Sequence, residues 1–396
     1  MGKVAKEETL QGILTQLRFI AAGQKRNVYA DIAGVAHLIG SGTLESNRAL
    51  FPVGDSFVIP WKDMDDSNHN SGATAYQTVW DIVSHRTVTL ENGDERPAML
   101  LQMHCCTPYL IQFSAPQAAY CAVNGLAAGT YKLAIGANAN GYAQGDLLEF
   151  AITDALPENG RLYIGAKSGN VYPVTAYGAD GKTVLENTSA SVVSSSAAAD
   201  LGATDDGTNN SALKMLAGSN RWKESAVRQW LNAKGQNWFC AQGAFDLVPT
   251  MGNKRGFMTG FDEAFLSAAK PVLVRTATDL SGGYDESFDR FFLPSVQEMN
   301  VTPQVMDAEG AYFEYWREKQ GASAYVGTGS GSAFDCFKID DVGGAGPRTM
   351  FLRSANVNGS YAVRKLINSG CVAQPASAAN YYASGQGYTQ PVCAIC

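Results

Sequence analysis

From residue 56 to residue 164 the chain runs with a two-residue period, and no other feature restricts its fold as much. Apolar residues dominate short runs at 56–60, 78–84, 98–104, 109–113, 130–135, 147–153 and 161–164. Turn signals separate them, among them Glu91-Asn92-Gly93-Asp94, Ala128-Gly129 and Glu158-Asn159-Gly160. Successive side chains of a strand point to opposite faces, so such runs must pair into sheets. Evenly spaced short strands predict a β-sandwich domain over residues 51–187. At 396 residues the chain is long enough for two or three cores.

The flanking segments follow a different period. Leu10, Ile13, Leu14, Leu17 and Ile20 repeat at helical spacing, and so do Ile32, Val35, Ala36 and Ile39. Residues 1–50 therefore read as short N-terminal helices whose apolar stripes are too small to fold alone. They must pack on the next domain or on another copy of the chain, which predicts a homo-oligomer, a trimer held largely by this attachment segment and the sandwich. Residues 188–210 begin rich in Ser and Ala and read as a linker. Beyond them a helix is expected over 224–232, with Val227, Trp230 and Leu231 on one face. A second is expected from the N-cap Asp262, with Phe261 and Leu266 placed as a hydrophobic staple and Pro271 as the stop. Short strands at 272–276, 290–294, 350–353, 361–366 and 392–395 complete an α+β domain over 211–396. The fold class is thus mixed.

Charge and cysteine usage exclude several function classes. A net charge of −7 with no Lys/Arg run leaves no footprint for phosphate backbones, so no nucleic acid is expected. Residues 1–17 have no signal-type apolar core, and no apolar run approaches the ~20 residues of a membrane span. Neither membrane insertion nor standard secretion is expected, although such a protein can leave a cell as part of a particle. The eight cysteines, Cys105, Cys106, Cys121, Cys240, Cys336, Cys371, Cys393 and Cys396, are scattered and mostly in apolar settings, as reduced, buried thiols are. Cys393 and Cys396 form a C-x-x-C without the second half-site a structural zinc needs.

Catalytic patterns are equally sparse. His37, His69, His85 and His104 all precede the Gly/Ser loop at 327–332, which is neither a G-x-S-x-G elbow nor a P-loop. His104, Cys105 and Cys106 lie in or beside a strand, where adjacent side chains diverge, and read as core. Asp335, Asp340 and Asp341 lack the alternation of a calcium loop and read as a solvated turn. Glu298 has no acid or histidine near it in sequence and reads as an acceptor for buried backbone donors. No catalytic residue, metal or cofactor is expected.

Several ordered segments carry a resemblance. Arg221-Trp222-Lys223-Glu224-Ser225-Ala226-Val227-Arg228-Gln229-Trp230-Leu231-Asn232 comes first, followed by Gly260-Phe261-Asp262, Tyr284-Asp285-Glu286, Phe292-Leu293-Pro294-Ser295 and Glu298. Phe351-Leu352-Arg353-Ser354, Gly359, Gly370 and Pro391-Val392-Cys393-Ala394-Ile395 close the series. Over about residues 220–396 this resembles a domain family common in phages and prophages of gut Firmicutes. Trp80-Asp81-Ile82-Val83 and Pro108-Tyr109-Leu110-Ile111-Gln112-Phe113 look like its upstream half.

The resemblance implies a C-type-lectin-like fold of the formylglycine-generating-enzyme type, shared with the hypervariable proteins of diversity-generating retroelements. It also implies that the C-terminal residues form a variable binding face. Residues 351–396 contain no Asp or Glu and are rich in Tyr, Asn, Ser and Gly, the mix binding loops use. The expected ligand-binding residues are Asn356, Asn358, Ser360, Tyr361, Asn368, Asn380, Tyr381, Tyr382 and Tyr388. The function implied is a virion receptor-binding protein, displayed with other virion proteins on a tail or head fibre, that presents this face to a host-surface glycan or protein. A capsid-decoration protein is the structural alternative. An enzyme of the formylglycine-generating type is the weakest, since Cys336 and Cys371 lack that family's local motif.

Overall fold

The strand-period segments become strands, but their pairing crosses the whole length of the chain. The structure, a computed structural model, describes residues 27–65, 76–104, 107, 110–115, 119–135, 146–165, 167–180, 183–194, 199–202, 219–242, 246–278, 283–299, 309–316, 339–340, 344–345, 350–355, 362–366, 381–382, 386–387 and 389–396. The expected helix over 7–22 lies outside them.

The first sheet sets β1 (Val28–Tyr29), β2 (Ser56–Trp61), β3 (Tyr76–Thr89) and β4 (Glu95–Met103) side by side. The turn between β3 and β4 is the one read from sequence. Leu90 N donates to Asp94 O at 2.8 Å, and Gly93 takes φ +87°, a value that suits glycine. The next strand in this sheet is β23 (Val392–Ile395), which pairs antiparallel with β4, with β13 (Ala269–Lys270) and with β16 (Phe291–Phe292). Val392, Cys393, Ala394 and Ile395 are fully buried. One apolar cluster then runs from Ile32 through Trp80, Trp222, Trp230, Phe265 and Phe291 to Ile395.

This corrects the boundary expected at residue 211. Strands from residues 56–103 and from the last five residues form one sheet and one core, so the C-terminal half alone is not the folding unit.

A second body is inserted between Phe113 and Ser219. It is a sheet of seven strands in the order β12-β7-β8-β11-β10-β9-β6. They are β6 (Ala119–Leu126), β7 (Gly129–Ala134), β8 (Leu147–Ile152), β9 (Leu156–Ile164), β10 (Val171–Tyr177), β11 (Val184–Val193) and β12 (Leu201–Gly202). Its buried side chains, including Leu148, Phe150, Ile152, Leu162, Tyr172 and Val174, converge on a separate cluster. A single sheet around its own core replaces the sandwich expected over 51–187. The linker expected from 188 is also corrected, because β11 reaches Val193 and is paired on both edges, with β8 and β10. The ends of the insertion meet where Ser219 N donates to Ser114 Oγ at 3.0 Å.

Among the described residues, four α-helices cover the first core. In α1 (Ile32–Ser41) the Asp31 side chain accepts from Gly34 N, and in α2 (Leu44–Leu50) Thr43 and Ser46 form a capping box. Ile32 and Ile39 of α1 are buried in the chain's own core, with Val35 and Ala36 packed against it. The second of the two stripes from which association was expected is therefore covered internally, while the first lies outside the described residues. Helix α3 (Ala226–Leu231) buries Val227, Trp230 and Leu231, and α4 (Glu263–Ala268) is capped by Asp262, whose Oδ1 accepts from Phe265 N at 2.7 Å. Both match the sequence reading. No described helix is long and apolar enough to cross a membrane. The remaining strands are short, and a β-rich mixed fold results.

Candidate ligand-display face

Strand β14 (Val272–Ala277) pairs with β15 (Tyr284–Asp289), and the motif residues read from sequence act on this hairpin as braces. Arg221 Nε donates to Asp285 Oδ2 at 2.7 Å. Asp289 is buried and accepts from Trp222 Nε1 at 2.8 Å, Arg228 Nε at 2.6 Å and Ser287 Oγ at 2.7 Å. A carboxylate taken out of water is tolerated when its lone pairs are filled in this way. The hairpin is thereby tied to α3 and the short 3-10 turn before it.

A second network, buried at Glu298, Glu309 and Arg353, holds the strand from which the Tyr-rich segment departs. Beyond β17 (Ile339–Asp340) and β18 (Gly344–Ala345) comes β19 (Met350–Ala355), whose residues from Phe351 to Ala355 are all buried. Arg353 donates through Nη1 to Glu298 Oε2 and to Leu293 O at 2.7 Å, and through Nη2 to the carbonyl of Glu309. Arg86 Nη2 donates to Glu298 Oε1 at 2.8 Å, and Ser354 Oγ donates to Glu309 Oε2. Gly310 follows at φ +127°, and a Cβ there would lie 2.7 Å from Glu298 Oε1. That close approach requires glycine.

The two carboxyls respond oppositely to this environment. Burial pushes Glu298 up, but Arg353 and Arg86 beside it outweigh burial and hold it below the usual carboxylate range. Burial also pushes Glu309 up, and there it prevails over Arg353, Ser354 and the Ala277 amide. The backbone role expected for Glu298 is present, since Ser295 N donates to its Oε2 at 3.1 Å. Its two arginine partners, 55 and 212 residues away, carry no local sequence signal.

After β19 the chain returns to the core three times. Strand β20 (Ala362–Leu366) pairs with β19 and with β21 (Tyr381–Tyr382), in the register Ala362↔Tyr382 and Val363↔Tyr381. Strand β22 (Gln386–Gly387) pairs with β5 (Ile111–Gln112). Thr107 N then donates to Thr389 O at 2.9 Å and Gln390 Nε2 to His104 O at 2.7 Å, which leads the chain into β23. Tyr381 and Tyr382 thus belong to a strand anchored through β20 to the buried β19. Asn356, Asn358, Ser360, Tyr361, Asn368, Asn380 and Tyr388 lie outside the described residues, in the connections between these strands.

The other residues singled out fall elsewhere. His104 Nδ1 lies 2.7 Å from Asp81 Oδ2, and Ser56 Oγ donates to Asp81 Oδ1 at 2.7 Å. All three are buried, so this acid–histidine pair braces β2, β3 and the end of β4. Sequence reading placed His104 in the core but did not find Asp81. Cys393 and Cys396 are buried and burial raises both thiols, whereas Cys240 is exposed, against expectation. Asp340 falls in β17, while Asp335 and Asp341 lie outside the described residues.

A family model described as a domain of unknown function (DUF6273) matches residues 182–395, more than half of the chain. The match begins at β11 of the inserted sheet and ends in β23, leaving out β1 to β4 although they share the sheet with β23. No curated protein and no solved structure matches the chain.

Proposed function

The chain belongs to the DUF6273 family, and we propose that this member is a non-enzymatic ligand-display protein, carried on a phage particle, whose lectin-like C-terminal face binds a glycan or protein on the host surface. One observation carries this reading: a 46-residue segment free of acidic residues, 351–396, is pinned to the core at β19, β22 and β23. Binding by side chains needs a rigid frame with connections that can change without unfolding it, and strands anchored at intervals provide one. Tyr contributes contact area at low entropic cost, and Asn and Ser contribute adaptable hydrogen bonds. A segment with Arg364 and Lys365 but no carboxylate, in a chain of net charge −7, is also suited to anionic cell-surface groups.

Fluorescently labelled protein applied to intact host bacteria tests this. The full chain is expected to bind saturably. Replacing Tyr361, Tyr381, Tyr382 and Tyr388 together by Ala should weaken binding by about 30-fold or more, the scale of losing one aromatic hot spot. The melting temperature should move by no more than about 3 °C, which separates loss of binding from loss of folding. Unchanged binding by the quadruple variant contradicts the proposal.

A further inference from the structure

A cavity of about 370 Å³ opens beside the Glu298–Arg353 network, between β3 and β14. Arg86, Arg275, Arg353, Glu298, Glu309 and Phe292 are among the residues that line it. Its acceptors are already used. Both Glu298 oxygens accept from Arg86, Arg353 or Ser295, and the Glu309 oxygens accept from Ser354 Oγ and from Ala277 N at 2.9 Å.

Its donors are not exhausted. Arg353 is fully buried, yet its Nε has no hydrogen-bond partner among the described residues. Arg86 uses one guanidinium nitrogen on Glu298 and its side chain is 25% exposed, which leaves donors facing solvent. Arg275 is exposed, stacks over Tyr284 at 4.4 Å, and makes no ion pair among the described residues, although Glu286 is its cross-strand neighbour. Among the described residues, three guanidinium groups thus face two carboxyls, with every carboxyl oxygen occupied. A lining with surplus donors, net positive charge and an apolar side at Leu273 is complementary to an acceptor-rich anion with a carbon skeleton.

We propose that this cavity binds a small organic carboxylate of about monosaccharide size. The carboxylate takes donors from Arg86 and Arg275 at the mouth, and the skeleton lies toward the half-buried Leu273.

Calorimetric titration of the full chain at low ionic strength, with sodium glucuronate, sodium succinate and glucose as probes, decides the matter. At least one carboxylate is expected to bind with a dissociation constant of about 1 mM or tighter, and glucose, the neutral counterpart of glucuronate, not at all. Glucuronate without succinate identifies an acidic sugar, succinate without glucuronate an open-chain acid, and both a general carboxylate site. Arg275→Gln removes an exposed side chain with no ion pair, so the protein stays folded, and should weaken binding about tenfold. Absence of carboxylate binding, equal binding of glucose, or an unchanged constant in Arg275→Gln overturns the proposal.

Discussion

Replacing Ala394 by Asp is expected to abolish the folded state of the whole first core. Ala394 is fully buried in β23 and is flanked on both sides, by Leu100 of β4 and by Lys270 of β13. A carboxylate there loses its hydration at a cost of several kcal/mol, which the half-buried Lys270 opposite it offsets only in part. The net stability of a domain is only about 5–15 kcal/mol, and misplacing β23 also uncovers its neighbours. Near-ultraviolet circular dichroism and thermal unfolding should show loss of the cooperative transition of this core. Ala394→Ser, which adds a hydroxyl but no charge, should cost about 1–3 kcal/mol and remain folded. An Ala394→Asp protein that melts within a few degrees of the parent would mean that β23 does not occupy the middle of the sheet.

The second large effect is expected at Glu298. Glu298→Gln leaves Arg353 buried without its counter-ion and should cost about 3–5 kcal/mol in urea unfolding. Adding Arg353→Met should recover part of that loss, because the uncompensated charge is then gone. The pH dependence has a definite sign. Glu298 is held below its ordinary value in the fold, so its stabilisation is present above the usual carboxylate range and is lost as pH falls through the depressed folded value. Glu309 is raised, so the fold is favoured while it is protonated, and that contribution fades as pH rises from the ordinary value through the raised one. Glu298→Gln should therefore flatten the acid limb of the stability curve, and Glu309→Gln the limb just above it. An acid limb in Glu298→Gln as steep as in the parent contradicts the ion-pair assignment.

What could be read from the sequence was local. The strands at 56–60, 98–104 and 147–153 announced themselves by period and turn residues, and Asp262 capped its helix as expected. Strand β15 did not, because its pattern is inverted: Ser287 and Asp289 are buried while Phe288 is exposed. Its buried acid is satisfied by Ser287 beside it and by Trp222 and Arg228, more than 60 residues away. Strand β11 was hidden by small polar residues, since Ala190 alone of its ten positions is fully buried and its two neighbours supply the pairing. Pairing between Ala394 and Leu100 leaves no periodic trace at all. The Tyr-rich segment was legible from composition. The network that fixes its starting strand was not, because Arg86, Glu298 and Arg353 meet only in three dimensions.

Excision of the inserted sheet tests most directly where binding resides. Ser114 and Ser219 meet at the base of the insertion, so residues 116–218 can be replaced by a short Gly-Ser bridge without stretching the first core. The measurement is binding of the excised protein to the same intact bacteria, beside the full chain and the isolated insert. The excised protein is expected to stay folded and bind as the full chain does, with binding lost on the four Tyr→Ala changes. A folded excised protein that no longer binds, or an isolated insert that does, would contradict it.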